Sequence, residues 1–404
     1  MTIDALIITA LPRELEAAEA AGNRLGGTGW RAQSAGSVPY LAGEFGGLTV
    51  ALARPVRMGS RVTGPLATTL TDVLKPRCLA MSGVCAGNPA DCAPGDVIVA
   101  TAAYEYDEGL RTADGFQGDH QQYPQDTRWI RAAQEFDPVD LPSYGPATEE
   151  SARVWLLERL LQGQDPRVHP ARERYFPRGT WAHRLEKWAA AGLVTFADGV
   201  LALTPAGGTT VRHLLARDID GPDRLPFAVL TGPMASGSAV QRDEGVWNHL
   251  RSMGVRKLLG LEMEAATIAT VAHQRHVPHW LVAKGVMDHA DLNKDDRFKE
   301  FAARASADVL FALLGALLPA RAAVASPPAP AFPGGVKVEV LRALIYDWHD
   351  LADLLGVPPF DVYRFTRGDE PRSLWTWLEV RERLGELPGA LDEIGRTDLA
   401  DRLR

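Results

Sequence analysis

Two apolar segments that each end in carboxylates constrain this 404-residue chain more than any other feature. Residues 259–264 form a short apolar approach that ends in Glu-Met-Glu, and residues 280–288 form a β-like run that ends in Asp288. Such apolar runs are typical of buried strands, whose ends usually emerge from the core into a cleft. Carboxylates placed there favour acid–base chemistry or hydroxyl binding, although carboxylates that only cap the strand ends would give the same pattern.

These segments resemble motifs of a known enzyme group. Glu-Met-Glu-Ala at residues 262–265 and Met-Asp-His-Ala-Asp at residues 287–291 are similar to motifs of the nucleoside phosphorylase and nucleosidase superfamily, especially its methylthioadenosine/S-adenosylhomocysteine nucleosidase branch. The motifs occur in the family's order and spacing. The resemblance implies that Met263 and Glu264 grip the ribose hydroxyls and that Asp288 donates a proton to purine N7.

The first strand-to-helix junction supplies another carboxylate. Residues 3–9 form an apolar β-like run, and Pro12 and Glu14 follow at the start of a helical pattern. Glu14 could simply be a first-turn carboxylate that the helix dipole favours. In the resembled family a glutamate at this junction acts as general base on the attacking water, and alignment of the strand ends gives that role to Glu14.

The next two strand exits contain candidate anion-binding residues. After a predicted strand over residues 48–53, Arg57 and Arg61 flank Gly59, and guanidinium groups there can hold phosphates or carboxylates. A solvated turn explains these arginines equally well. Further on, Val84 occupies a position where relatives commonly carry a serine that contributes to the phosphate or water site. The resemblance therefore favours hydrolysis over phosphorolysis, with Val84 as part of the substrate site.

Other residues complete the predicted substrate site. Glu262 adjoins the ribose-binding pair, and Lys284 could support Glu14 electrostatically or reach a polar ligand group. Met234, in a predicted loop over residues 232–238, is the candidate base contact, although a plain turn explains that loop as well.

A charged stretch follows the second motif. Lys294, Arg297 and Lys299 could bind a polyphosphate, although a solvated helix start is the more ordinary explanation of this charge. The stretch is more charged than a pocket for a methylthio group requires. It therefore raises a nucleotide as a possible substrate.

Residues 142–223 interrupt the α/β pattern. Predicted helices over residues 149–161 and 178–191 precede a hairpin with an Asp198-Gly199 turn and a helix over residues 205–217. This order suggests a winged-helix-like insertion. Its basic residues could contact nucleic acid, but embedded winged helices more often pack or bind partners, so nucleic acid is not an expected partner.

The C-terminal part is predicted to be a separate interaction module. Residues 319–335, rich in proline and alanine, indicate a linker, and residues 336–404 a helical domain. Leu-Ala-Asp-Leu-Leu-Gly-Val at residues 351–357 and Trp-Thr-Trp-Leu at residues 375–378 resemble the small death-like, effector-associated domains of bacterial conflict systems. That resemblance implies a protein partner recruited through homotypic contacts.

Charge and composition limit the remaining classes. The chain has 43 Lys and Arg against 51 Asp and Glu, a net charge of −8, which weighs against broad nucleic-acid or anionic-membrane binding. No apolar stretch approaches membrane-spanning length and no signal-peptide pattern is present, so a cytoplasmic location is expected. The odd number and spacing of Cys78, Cys85 and Cys92 predict reduced thiols rather than disulfides or a metal site.

The predicted architecture is a three-layer α/β, nucleoside-phosphorylase-like domain with a winged-helix-like insertion and a small all-helical C-terminal domain. Residues 1–141 and 224–318 form the catalytic domain. The resemblance implies an oligomeric N-glycosidase that needs no metal or cofactor and releases adenine from a purine nucleoside or nucleotide. The appended modules suggest a regulated effector that depletes ATP in antiviral defence; the alternatives are a methylthioadenosine/S-adenosylhomocysteine nucleosidase of salvage metabolism and a catalytically silent nucleotide sensor.

Overall fold

The structure is a computed structural model that describes residues 3–113, 115–197, 199–243, 245–292, 296–320, 332–381 and 383–404. The chain divides into two compact units, Met1–Ala320 and Arg321–Arg404. The first unit contains the sheets and the second unit is helical. None of the helices in the described part of the chain is long and apolar enough to cross a membrane.

Strands and helices alternate through most of the first unit. The strands are β1 (Ala5–Ile8), β2 (Thr28–Ala35), β3 (Val38–Phe45), β4 (Leu48–Ala53), β5 (Cys78–Gly87), β6 (Val97–Glu105), β7 (Gly109–Thr112), β8 (Gly115–Gly118), β9 (Tyr123–Pro124), β10 (Val194–Ala197), β11 (Val200–Leu203), β12 (Val229–Ser236), β13 (Gly260–Glu262) and β14 (His279–Asp288). The helices are α1 (Pro12–Arg24), α2 (Ser60–Leu74), α3 (Thr127–Gln134), α4 (Glu149–Leu161), α5 (Arg172–Tyr175), α6 (Trp181–Ala190), α7 (Pro205–Arg217), α8 (Val246–Ser252), α9 (Ala265–Gln274) and α10 (Lys299–Leu317), with a 3-10 turn at Pro138–Asp140.

A ten-stranded mixed sheet forms the centre of this unit. Its main strand order is β13-β12-β6-β14-β5-β1-β4-β3-β2, and β9 pairs with β6. Strands β1, β4, β5 and β14 run parallel, so their carboxyl ends meet at one edge. Strand β13 pairs antiparallel with the last residues of β5. These pairings bring the loop after β1, the end of β14 and the Glu-Met-Glu motif to the same edge of the sheet.

Two apolar clusters lie on opposite faces of the sheet. Leu6 and Ile8 of β1 belong to the cluster that includes α2 and α9, whereas Ala5 and Ile7 belong to the cluster that includes α1 and α10. Side chains alternate across a strand, so a strand that is apolar at every position must be covered on both faces. The three-layer α/β architecture predicted from the sequence is therefore confirmed, with helices on each side of the sheet.

The insertion consists of α4 to α7 and the hairpin β10–β11. The predicted helices over residues 149–161 and 205–217 are confirmed, while the second helix begins at Trp181 rather than residue 178. Asp198 of the predicted turn lies outside the described residues. A cluster of aromatic side chains, including Trp155 and Trp188, forms the insertion's own core. Its classification as a winged helix and its boundaries at residues 142 and 223 stay predictions.

Two long strands of the sheet border the candidate site. Strand β5 runs from Cys78 through Gly87, and β12 runs from Val229 through Ser236. The predicted loop over residues 232–238 is thus wrong for most of its length, because β12 is paired with β6 and β13 on both sides. A register shift between Gly232 and Pro233 accommodates the proline, which has no N–H to donate.

The second unit is a small helical domain with its own apolar core. It contains α11 (Gly334–Ala343), α12 (Trp348–Leu354), α13 (Pro359–Val362), α14 (Glu370–Val380), α15 (Leu387–Glu393) and α16 (Thr397–Ala400), with 3-10 turns at Leu384–Glu386 and Asp401–Leu403. Trp348, Trp375 and Trp377 are buried in that core. Most of the predicted linker, residues 321–331, lies outside the described residues.

We expect Gly285→Ala to destabilise the first unit. Helix α10 crosses β14 so closely that a methyl group at Gly285 would lie 2.1 Å from the carbonyl oxygen of Ala302. Helix and strand would have to separate, and overpacking of this kind costs about 1–3 kcal/mol. Thermal and urea unfolding measure the effect. Gly208→Ala in α7 is the control, because the added methyl group makes only an ordinary contact with Arg212. Equal melting temperatures for the two variants would contradict this account.

Candidate active site

A cavity of about 200 Å³ opens at the carboxyl ends of β1, β5 and β14. Residues from α1, β5, β13, the loop before α9 and β14 converge on it. The sequence-predicted residues that line it are Glu14, Val84, Glu262, Met263, Glu264, Asp288 and Lys299. Thus the parallel strands bring together carboxylates that are up to 274 positions apart in the chain, from position 14 to position 288.

Glu14 is held rigidly although it lies in the first turn of α1. Its side chain is 3% exposed and accepts hydrogen bonds from the backbone N–H groups of Ala10 (2.7 Å), Leu11 (2.9 Å) and Val84 (2.9 Å). The bond from Leu11 caps the helix, while the bond from Val84 reaches across to β5. Hence helix capping and the site role are not alternatives: one oxygen serves the helix and the other is fixed against the cavity wall.

The absence of a side chain at Gly83 makes room for this carboxylate. A methyl group there would lie 2.5 Å from Oε1 of Glu14. That distance is shorter than any real contact of a methyl carbon with an oxygen. The small-residue stretch after residue 81 is therefore part of the site, because it allows Glu14 to approach the backbone of β5.

Lys284 lies beneath the Glu-Met-Glu motif rather than in the cavity. Its side chain is 1% exposed, and Nζ lies 3.1 Å from Glu262 and 3.5 Å from Glu264. A buried ammonium group of this kind is tolerated only with such partners. The suggestion that Lys284 reaches a polar ligand group is therefore wrong; it acts as a counter-ion to the two glutamates.

The carboxylate of Glu262 is already hydrogen-bonded within the protein. It accepts hydrogen bonds from Oγ of Ser236 (2.6 Å) and from the backbone N–H groups of Glu264 (2.9 Å) and Ala265 (2.9 Å). These bonds satisfy donors at the start of α9, which otherwise lack partners. Although Glu262 lines the cavity, its main interactions fix the loop that presents Glu264.

Glu264 combines burial with a mixed set of neighbours. Burial raises the pKa of Glu264 to about 7, and the negative charges of Glu262 and Glu14 act in the same direction. Two neighbours oppose this rise in pKa: the charge of Lys284, and the backbone N–H of Gly59, which donates to Glu264 at 2.7 Å. For Lys284, burial lowers the pKa, but the three carboxylates around it outweigh burial and raise it above the ordinary value. The lysine therefore stays charged while Glu264 titrates near neutral pH.

Asp288 is the last residue of β14 and is 5% exposed. The backbone N–H of Ala290 donates to its Oδ1 at 2.8 Å, and Ala290 adopts a left-handed conformation with φ of 59°. The next residue is also fixed, because Nδ1 of His289 lies 2.7 Å from the carbonyl oxygen of Gly87. A strained turn and these bonds hold the aspartate at the cavity wall.

Other predicted residues lie elsewhere. Met234 is fully buried inside β12, against Gly260 and Ile98, so the predicted base contact is wrong. Arg57 and Arg61 are exposed, and neither is among the described residues that line the cavity; Arg61 lines a separate groove. Their predicted role in substrate binding is therefore not supported by the geometry.

The basic residues that follow the second motif have different surroundings. Arg297 pairs with Glu158 and, at 3.4 Å, with Asp218. Its charge therefore interacts with carboxylates of the insertion rather than with the cavity. Lys294 lies outside the described residues. Lys299 does line the cavity and lies 3.5 Å from Asp296.

The sequence did not reveal most of the apolar wall. Met58, Val240, Leu261 and Met287 line the cavity beside the carboxylates, and Gln241 donates to the hydroxyl of Tyr106 at 2.7 Å nearby. Only the proximity of Met58 to the Gly59 loop hinted at such a role. Such an apolar wall suits a flat organic ring, and the fixed carboxylates beside it suit hydroxyl groups of the same ligand.

Lys284→Met is expected to lower the free energy of unfolding by about 3–5 kcal/mol, because it leaves two buried carboxylates without their cation. Loss of the cation also raises the pKa of Glu264 further. A folded pKa above the unfolded value means that stability falls as pH rises between the two values. The variant's deficit in melting temperature should therefore grow from pH 5 to pH 9.

Lys187→Met is the matched control for this experiment. Lys187 pairs with Glu149 at 2.5 Å, but both side chains are exposed, and such pairs contribute at most about 1 kcal/mol. A deficit for Lys284→Met that is as small as the control's, or that shrinks as pH rises, would contradict the role of Lys284 as a buried counter-ion.

Two family models match the chain. Residues 4–318 match the model described as Phosphorylase superfamily, and residues 334–404 match the model described as Bacterial Death-like domain 3. An uncharacterized protein of Sinorhizobium fredii is 27% identical over 278 residues, which are 68% of this chain and 50% of that protein. The chain thus spans about half the length of this curated relative.

Two of the solved structures to which this chain is similar are a nucleosidase and a hydrolase. One is the 5'-methylthioadenosine/S-adenosylhomocysteine nucleosidase of Neisseria meningitidis in complex with methylthio-immucillin-A, with 18% identity, coverage of 78% of this chain and 99% of that chain, and a TM-score of 0.49. The other is futalosine hydrolase of Helicobacter pylori, with 17% identity, coverage of 78% and 99%, and a TM-score of 0.49.

Proposed function

The chain belongs to the phosphorylase superfamily, and on that premise we propose that it hydrolyses the N-glycosidic bond of a purine nucleoside or nucleotide and releases adenine. One observation carries the proposal: Glu14, Glu264 and Asp288 come from separate elements and line the same apolar cavity. At least one backbone N–H group donates a hydrogen bond to each of these carboxylates. Such fixed groups favour catalysis because they need little rearrangement when charge develops.

The proposed reaction uses each carboxylate differently. Asp288 protonates or hydrogen-bonds purine N7, so that the bond between the anomeric carbon and N9 breaks with its electron pair left on the base. Glu264, beside Met263, holds the ribose hydroxyls as the sugar becomes oxocarbenium-like. Glu14 orients a water molecule and takes its proton as the oxygen attacks the anomeric carbon. The products are adenine and the free sugar or sugar phosphate.

The wall beside Glu14 supports water rather than phosphate as the nucleophile. The side chain of Val84 lines the cavity and offers no hydrogen bond, while its backbone N–H is already used by Glu14. A phosphate ion would need several donors at this point. Hydrolysis therefore fits the described residues better than phosphorolysis.

For the substrate, we propose a nucleotide, with ATP as the first candidate. Among the described residues that line the cavity, Lys299 is the one cation, and it could meet a phosphate group. The match of residues 334–404 to a bacterial death-like domain supports a regulated effector that acts in antiviral defence and is controlled through a protein partner. Oligomerisation, implied by the family resemblance, stays a prediction.

The apolar wall favours a second candidate. Met58, Val240 and Met287 would suit an uncharged methylthio group, as in methylthioadenosine, better than a triphosphate. In that case the enzyme would serve purine salvage. A catalytically silent sensor is less well supported, because the tight fixation of Glu14 is not needed for binding alone.

Base release by the purified protein tests the chemistry. With ATP, AMP, adenosine and methylthioadenosine as substrates, chromatography should detect adenine without added phosphate. Asp288→Asn and Glu14→Gln should each lower the rate by about 10²–10⁴, as expected for loss of a general acid or base. Glu16→Gln on the exposed side of α1 is the control and should retain activity. Full activity of Asp288→Asn would refute the proposed role of that residue.

Lys299→Met tests the choice of substrate. If Lys299 meets a phosphate group, the variant should lose about tenfold or more in kcat/KM for ATP and little for methylthioadenosine. Methionine is unbranched and one heavy atom shorter than lysine, so the substitution mainly removes the charge and the N–H donors. An equal effect on both substrates, or no effect on ATP, would contradict the proposed contact and favour the salvage substrate.

A further inference from the structure

A second cavity, of about 240 Å³, lies between the insertion and the catalytic domain. Helices α4 and α5 form one side, and the segment that leads into α10 forms part of the other. The stacked rings of Trp155 and Tyr175, whose centroids are 5.0 Å apart, line the insertion side. This cavity is separate from the proposed active site, and the proposed reaction does not use it.

The charges around this cavity are unbalanced. Its described lining contains four arginines and two carboxylates: Arg159, Arg174, Arg224 and Arg297 against Glu158 and Asp218. Glu158 serves two of these arginines, because it lies 3.1 Å from Arg159 and also pairs with Arg297. Asp96, which lies outside this lining, pairs with Arg174, so three carboxylates serve four guanidinium groups. The excess of one positive charge favours an anion.

Arg159 is the most unusual of the four. Its side chain is only 4% exposed, and its contact with Glu158 is an ion pair without the geometry of a hydrogen bond. Its Nε is buried and has no hydrogen-bond partner, and the same is true of Nε of Arg174. A buried guanidinium group with unused donors is costly in free energy unless a ligand or water completes its bonds.

Arg174 is held by an ion pair with Asp96, which lies outside the insertion. It lies 2.7 Å from Oδ1 of Asp96, which also accepts hydrogen bonds from the backbone N–H groups of Ala228 (2.9 Å) and, through its other oxygen, Ala93 (2.8 Å). The aspartate therefore holds the arginine at the cavity wall. Arg159 and Arg174 form a preorganised pair of cationic groups at the junction of the two parts.

We propose that this cavity is an effector site that binds a phosphate group, either as free phosphate or as a small phosphate ester. Guanidinium groups offer several N–H donors with the geometry that phosphate oxygens accept. The aromatic rings beside Arg174 leave room for the apolar part of an ester, and the cavity is enclosed by two packed parts of one compact unit.

The position of this cavity also provides a route to the active site. Glu158, Arg159 and Phe298 line a third, small cavity of about 30 Å³, whose other wall includes Asp288 and His289. In addition, Phe298 lines the effector cavity while Lys299 lines the active site. A phosphate in this cavity would compete with Glu158 for Arg159 and for Arg297, because both arginines line the cavity and both pair with Glu158. We expect this change to alter the rate of catalysis. That consequence rests on the proposed function, whereas the binding of phosphate to this cavity does not depend on it.

Calorimetric titration of the full-length protein with inorganic phosphate and with phenyl phosphate tests the proposal. Arg159→Gln and Arg174→Gln should each weaken binding by about tenfold or more, since each removes charged hydrogen bonds to the ligand. Bound ligand should also raise the melting temperature. Tighter binding of phenyl phosphate would identify an ester as the ligand, and equal binding would identify free phosphate.

Two controls separate this site from the others. Arg167→Gln removes an exposed arginine of the insertion that pairs with Asp165, and it should bind like the unmodified protein. Lys299→Met should also bind normally, because Lys299 belongs to the active-site cavity. Failure to bind either probe, or equal binding by Arg174→Gln and the unmodified protein, would overturn the proposal even if Arg159→Gln did not fold. Binding without any adenine release would preserve the site while rejecting the proposed function.

Discussion

The buried ion pairs of Lys284 with Glu262 and Glu264 are the interaction on which the candidate site depends. Taking the lysine and two carboxylates out of water costs free energy, and the arrangement is tolerated because the ammonium group lies 3.1 Å from Glu262 and 3.5 Å from Glu264. Glu262 also accepts a hydrogen bond from the backbone N–H of Ala265, which fixes the start of α9. Glu264 faces the cavity, and burial raises the pKa of its carboxyl to about 7 while the charge of Lys284, which does not line the cavity, lowers it.

The parallel strands at the centre of the sheet determine where this chemistry occurs. Because β1, β5 and β14 end at one edge, Glu14, Val84 and Asp288 meet there without long loops. Glycines at two close approaches make the arrangement compact: Gly83 leaves space for Glu14, and Gly285 allows α10 to lie on β14. The insertion contacts this framework, since Asp96, the residue before β6, pairs with Arg174 of the insertion at 2.7 Å.

Local sequence patterns predicted the elements well where a segment is periodic and is clearly bounded. Helix α4 and helix α7 match their predicted limits, and the three-layer class follows from apolar strands that need cover on both faces. Met234 shows the limit of such reasoning. Gly232 and Pro233 suggested a loop, but pairing with β6 and β13 keeps the chain extended across them and turns Met234 into the core.

The sequence by itself determined the carboxylates of the site, because the Glu-Met-Glu and Met-Asp motifs and the first strand-to-helix junction are local features. Only the tertiary structure decided which cations accompany them. The sequence marked four basic residues as candidate ligand contacts, and their surroundings differ. Lys284 is a buried counter-ion, Lys299 lines the cavity, and Arg57 and Arg61 lie outside it. A basic residue's role depends on which charges surround it in space, and those neighbours come from distant segments that no local pattern identifies.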